Sequence, residues 1–177
     1  MAWRDLYIYW RDSHRDGQPP SRADIDPPLQ IPRLLPNLFL MDVIGQYFRV
    51  RLVGSEITRR GGRDSTGQIL DPNVMPEQTL TAFTILLRRA VETCTPVAYS
   101  AGRGTHSNFG ATGLVTPLVD RAGTVEMILG GLFYPSTRVQ GRNEYWDPGA
   151  LTELPLADLL ADPTKTPGYG VDDDQRS

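Results

Sequence analysis

One cysteine, one lysine, two histidines and no long apolar run mark what this chain of 177 residues has little of. Each scarcity closes a class of explanation. Cys94 stands alone, so no internal disulfide can form, and the simplest home is a reducing one such as the cytoplasm. No stretch of about 18 consecutive apolar residues exists, so no membrane insertion is expected. The opening residues Met1-Ala2-Trp3-Arg4-Asp5 are charged and amphipathic, unlike a secretion signal. Arginine supplies every basic residue except Lys165, a bias that a GC-rich genome produces without functional demand. The net charge of −3 is uneven. Seven carboxylates follow Trp146 against Lys165 and Arg176, which leaves residues 1–145 at +2. Neither part is basic enough for a nucleic-acid binder. Zinc-type Cys/His spacing, His-Glu-x-x-His and Gly-x-Ser-x-Gly are all missing, and Gly102-Arg103-Gly104-Thr105 completes no phosphate-cradling loop. No catalytic and no metal-binding residue is assigned.

What is present is patterned. Trp3, Leu6, Tyr7, Trp10 and His14 recur at helical spacing, so an amphipathic helix is predicted over Trp3–Arg15, ended by Gly17 and Pro19-Pro20. Its aromatic stripe has two readings: packing on the chain's own sheet, or a dimer or partner contact through Trp3, Leu6, Tyr7 and Trp10. His14 reads as a packed, hydrogen-bonded side chain. Pro27, Pro28, Pro32 and Pro36 then forbid long elements, and Ser21 caps a short turn over Arg22-Ala23-Asp24.

A hairpin follows, with strands Leu38–Ile44 and Tyr47–Val53 about Gly45-Gln46, a pairing suited to a type II′ turn. That loop sets Asp42 opposite Arg49 and Leu40 opposite Arg51. Phe39, Met41, Val43, Phe48, Val50 and Leu52 then share one apolar face, the expected core face. The other face mixes Tyr47, Arg49 and Arg51 with apolar residues. Ser55–Arg60 is helix-compatible. The longest helix is predicted at Pro76–Thr93, with Leu80, Phe83, Leu87, Ala90 and Cys94 on its stripe. Strands are predicted at Val97–Arg103, Ala111–Val119 and Thr124–Tyr134, with Pro117 near an edge or a bulge. Beyond Pro135 the pattern weakens, save for a helical turn at Pro155–Ala161. The expectation is an α+β fold. A five-stranded antiparallel sheet carries short helices and one long helix on one face, plus the N-terminal helix. Three regions result: a helix and proline-rich lead-in (1–37), a core (38–135) and an acidic, largely irregular tail (136–177).

The order β-β, short helices, long helix, β-β-β resembles that of PAS domains. Several phrases sharpen the resemblance: Pro20-Ser21-Arg22-Ala23-Asp24-Ile25-Asp26-Pro27, Leu35-Pro36-Asn37-Leu38-Phe39-Leu40-Met41-Asp42, Phe48-Arg49-Val50-Arg51-Leu52-Val53-Gly54-Ser55 and Gly62-Arg63-Asp64-Ser65-Thr66-Gly67. Together with Thr116-Pro117-Leu118 and Ile128-Leu129-Gly130-Gly131, they are similar to stand-alone PAS proteins common in alphaproteobacteria. The resemblance covers roughly residues 3–135 and implies a sensory or adaptor role in bacterial signalling, not an enzyme. Such domains bind small molecules between the inner sheet face and the long helix, or dock partners and dimerise through the outer face. Flavin is disfavoured because no Asn-Cys-Arg-Phe phrase exists and Cys94 ends the long helix. Haem is disfavoured because that helix has no histidine.

The candidate ligand site is therefore Phe48, Val50 and Leu52 facing Phe83 and Leu87, with Arg51 and Arg63 as polar groups. Either arginine can be neutralised by Asp42, Asp64 or Glu56, pinning the loop Gly61–Gly67, or can read an acidic ligand. Three functions stay open. One is a signalling module holding a small molecule or engaging a signalling protein. Another is a ligand-free homodimeric adaptor. The third is a small enzyme using His106 with a carboxylate.

Overall fold

The computed structural model describes residues 2–61, 63–101, 111–134 and 151–161. Among these residues the strands are β1 (Leu38–Ile44), β2 (Tyr47–Val53), β3 (Val97–Ala101), β4 (Ala111–Val119), β5 (Val125–Phe133) and β6 (Leu151–Leu154). They form a central six-stranded antiparallel sheet in the order β2-β1-β5-β4-β3-β6. On one face lie α3 (Ser55–Gly61) and α4 (Glu77–Thr93). On the other lie α1 (Ala2–Asp12) and α5 (Leu156–Ala161). The lead-in holds α2 (Pro27–Gln30) between 3-10 turns at Arg22–Asp24 and Pro32–Asn37. None of the described helices is long and apolar enough to cross a membrane.

The sixth strand corrects the expected five. It comes from the region read as irregular tail, and pairs Leu151–Leu154 with Ala98–Ala101 of β3. Four residues with only their ends apolar are too short for alternation to reveal them. α5 fulfils the helical turn expected beside it, and buries Leu159 against the outer face.

β4 and β5 are buried on both faces, so their residues alternate between two cores. Val115 and Ile128 point to the inner core beside Phe83 and Leu87. Leu114 and Leu129 point to the outer core beside Leu6 and Trp10. That outer face explains α1. Trp3, Leu6 and Trp10 are 3%, 0% and 5% exposed, and the Trp10 indole N–H donates to the Pro117 carbonyl at 2.7 Å. The aromatic stripe thus covers its own sheet. Trp3, Leu6 and Trp10 are unavailable to a partner while α1 stays in place, and Tyr7 is half-buried. α1 stops at Asp12, short of the expected Arg15. There Asp16 and Gly17 take positive φ and turn the chain. His14 packs edge-on against Trp10, and its Nδ1 donates to the Trp10 carbonyl at 3.1 Å.

Pro117 sits just past the last residue that β3 pairs, Val115, and next to a register shift at Leu118/Val119. Its missing N–H therefore breaks no ladder bond, as the sequence led one to expect.

The hairpin pairs Asp42 with Arg49 as predicted, and Gly45 turns it with φ +56. The pairing of Leu40 with Arg51 is not observed. A bulge intervenes, so Met41 meets Val50 and Leu40 meets Leu52, with Arg51 as the extra residue. A bulge reverses which face later side chains take. Val53 accordingly turns toward the inner core, and Leu52, expected there, is 45% exposed. Arg49 and Arg51 both project outward and share Asp42: Arg49 Nε lies 3.1 Å from Oδ2, and Arg51 Nε 2.8 Å from Oδ1. The open edge of β2 is covered by Gly67–Leu70. The Val50 N–H donates to the Gln68 carbonyl and the Leu70 N–H to the Phe48 carbonyl, both at 2.9 Å.

If α1 is part of the core, Leu6→Ala lowers the unfolding free energy by about 3 kcal/mol, the usual effect of truncating a buried leucine. Urea denaturation measures this. A loss below about 1 kcal/mol would mean that α1 only rests on the surface.

Candidate functional site

Between the inner sheet face and the helices lies a cavity of about 160 Å³. Phe39 and Met41 of β1, Val50 and Val53 of β2 and Tyr99 of β3 form its floor. Thr79 and Phe83 of α4, Ile57 of α3 and Leu70 close it above, with the connector residues Val74, Met75 and Pro76 and with Leu151 of β6. Gly61, Arg63 and Ser65 stand at the rim.

Two glycines set the floor. Phe39 faces Gly130 across β1 and β5, and Tyr99 faces Gly113 across β3 and β4. Each aromatic ring lies over its glycine: a Cβ at Gly130 would come within 2.1 Å of Phe39, and one at Gly113 within 2.0 Å of Tyr99. A glycine inside a strand commonly marks such a close approach. The rings are thereby laid along the sheet. Phe83 then meets Phe39 edge-on at 5.8 Å and tilts against Tyr99 at 5.9 Å. The three aromatics make the inner wall.

Of the expected ligand-site residues, Val50, Phe83 and Arg63 line this cavity. Phe48 and Leu87 are core residues outside the wall, and the Arg88 guanidinium covers the Phe48 ring at 5.0 Å. Leu52 and Arg51 lie on the opposite face, Leu52 because of the bulge and Arg51 because Asp42 holds it there. Tyr99, Thr79 and Ile57 escaped the sequence reading. The available signal was Gly113 and Gly130 inside otherwise apolar strands.

Arg63 finds neutral partners, not a carboxylate. It donates to the Asn73 carbonyl and, at 2.6 Å, to Gln68 Oε1. Asp64 instead accepts from the Thr66 N–H at 2.9 Å and the Thr66 hydroxyl at 2.6 Å. The connector is thus tied to itself by hydrogen bonds, where the sequence suggested an ion pair. Glu56 fixes α3 beside it, with Arg59 and Arg60 at 2.6 and 2.7 Å. The hydrogen bond from Arg59, aided by Arg60, holds the Glu56 carboxyl down at about 2. The Arg60 guanidinium also stacks on the Tyr134 ring at 3.9 Å.

Inside the cavity wall the polar groups are few. Tyr99 is 3% exposed, and burial pushes its hydroxyl far above the ordinary range, so it stays protonated. Among the described residues no group hydrogen-bonds that hydroxyl. Thr79, 5% exposed, is the other buried hydroxyl-bearing residue. Cys94 lies at the end of α4 with φ +51, half-buried, and is not among the lining residues. No histidine or cysteine lines the cavity among the described residues, and no cluster there suits a metal. His106 lies outside the described residues.

Two outcomes follow. Gly130→Ala drives a methyl into the Phe39 ring, so it destabilises by about 1–3 kcal/mol in denaturant titration; a neutral result would mean that the ring moves freely. Glu56→Gln tests the ion-pair cluster. A lowered carboxyl stabilises the fold above its unfolded value near 4.5, and this is lost as pH falls toward about 2. At neutral pH the substitution costs about 1 kcal/mol after allowance for solvent screening, and the difference from the parent chain vanishes near pH 2. An equal difference at both pH values would exclude the carboxylate charge as its cause.

The PAS domain family matches residues 1–133. No curated protein is detectably similar in sequence. Solved structures share parts of the architecture. A sensory box sensor histidine kinase from Vibrio cholerae aligns with a TM-score of 0.46 at 15% identity, covering 58% of this chain and 86% of its own. A LOV protein of Rhodobacter sphaeroides aligns with a TM-score of 0.43 at 14% identity, covering 75% of this chain and 68% of its own. With the family matched across three-quarters of the sequence, over the hairpin, the helices and the closing strands that build the cavity, the chain belongs to the PAS domain family.

Proposed function

We propose that this chain is a sensory or adaptor module of bacterial signalling that takes up a small molecule in the cavity beneath α4 and carries no catalysis of its own. The observation that supports this reading is the cavity itself. A domain serving only as a rigid adaptor gains stability by filling such a space, since each void forfeits packing contacts. Here about 160 Å³ stays open behind three aromatic rings, one of them Tyr99, a residue 3% exposed. A partner protein would receive the signal.

A second reading, a ligand-free homodimer, has one observation in its favour. Ile44, Tyr47 and Leu52 of the hairpin are 40%, 65% and 45% exposed. Light scattering over a wide concentration range decides it: a chain that stays monomeric removes the homodimer.

The ligand reading is tested on the untreated chain by native mass spectrometry and a thermal-shift library. A true ligand at about a hundred times its Kd adds about 2.7 kcal/mol, which raises Tm by roughly 5–10 °C in a domain of this size. No bound mass and no stabilising compound would sink the proposal.

A further inference from the structure

We propose that the cavity accepts an uncharged, single-ring ligand bearing one polar atom, and that this atom accepts a hydrogen bond from Tyr99. The inference rests on the reading of the cavity as a ligand site, and adds the ligand's size, charge and polarity.

Size comes first. A closed apolar cavity of about 150 Å³ takes up benzene, whereas sites for drug-sized molecules and cofactors run to roughly 300–1,000 Å³. At about 160 Å³ this cavity matches one ring and a substituent.

Charge comes next. Arg63 is the one charged residue among the described lining, and it is exposed at the rim with its guanidinium already bound to Asn73 and Gln68. The deeper wall of Met41, Val50, Val53 and Phe83 offers no counter-charge. An ion placed there would lose its water and gain nothing in return.

Polarity is set by Tyr99. A buried phenol normally finds a partner. The residue is 3% exposed and lines the cavity, no described residue hydrogen-bonds its hydroxyl, and that oxygen is not among the fully enclosed unpaired atoms, as expected of one that meets the open space. Its hydroxyl remains protonated because burial disfavours the anion, so it is a donor awaiting an acceptor. A ligand with no polar atom leaves that donor unanswered.

The test uses the full chain and four probes: phenol, toluene, benzoate and lumichrome, which is the flavin ring system. Calorimetry gives affinities and ligand-observed NMR confirms weak binding. Phenol should bind roughly two- to tenfold tighter than toluene, the range expected for one hydrogen bond. Tyr99→Phe should erase that gap and leave toluene within about twofold of its original affinity. Benzoate and lumichrome should not bind. Val53→Phe, which fills the cavity, should abolish phenol and toluene binding together. Met75→Trp at the connector serves the same purpose if the first variant fails to fold.

Each contrary result overturns a definite part. Equal phenol affinity in the parent and in Tyr99→Phe overturns the hydrogen bond. Benzoate binding tighter than phenol overturns the absence of charge, and lumichrome binding overturns the size limit. Binding that survives both filling variants overturns the cavity as the location. If the four probes fail while another compound raises Tm, the ligand class is wrong and the sensory reading stands; if nothing binds at all, both fall.

Discussion

Burial of the central strands on both faces is the constraint from which the rest of this structure follows. In β5 every residue but Glu126 is buried, and in β4 every residue but Thr112. A sheet in that condition needs two covers. α3 and α4 supply one. α1 supplies the other, with α5 behind it. Without α1 the side chains of Leu114, Leu118 and Leu129 would face water on a strand pair with no polar alternation to offer. The two tryptophans and Leu6 answer that need, so the aromatic stripe has a use within its own chain. The hairpin face left uncovered is the one that carries charge, where Asp42 is held between Arg49 and Arg51.

Much of this was legible from residue order alone. The hairpin was readable because Gly45-Gln46 fixed the loop and alternation fixed the faces. Asp42 opposite Arg49 followed without any structure. α4 was readable because Phe83, Leu87 and Ala90 repeat at helical spacing and Pro76 opens the segment. The failures have physical reasons. A bulge is a local insertion that alternation cannot announce, and Arg51 looks like an ordinary outward residue until its partner strand is known. That single residue moved Leu52 out of the core and brought Val53 in. β6 was missed because its stability comes from pairing with β3, a contact distant in sequence, and not from its own pattern. Sequence alone does not separate the two readings of the aromatic stripe, since a helix face records only that something apolar covers it.

The cavity was legible only in part, for a different reason. Its existence depends on which side chains lie down along the sheet and which stand up. Phe39 and Tyr99 lie down because Gly130 and Gly113 oppose them. Periodicity shows that a residue faces inward, but says nothing about its height above the sheet. Standing upright, the same rings would take up the space that they and Phe83 now only border. Phe48 and Leu87 illustrate the filled alternative a few residues away, where both side chains are buried and the Arg88 guanidinium lies over the Phe48 ring. An interior with one filled end and one hollow end is therefore written mainly in two glycines.

One of these glycines, Gly130, together with its neighbour Gly131, brings the two faces of the sheet close together. Gly130 lies under the Phe39 ring on the cavity side. Gly131, its neighbour, faces the other way, where a Cβ would meet Phe133 and come within 3.1 Å of Leu6. Phe39 and Leu38 of β1 pair with these two residues in register. Over this stretch β5 contributes no side chain to either core, so the layer between the cavity floor and α1 is backbone alone. Densely packed interiors transmit displacements instead of absorbing them. A change in the position of the Phe39 ring is separated from Leu6 by the thickness of one strand. The N-terminal helix, although remote from the cavity in sequence and on the opposite face, therefore places Leu6 against the reverse side of the strand that supports the Phe39 ring.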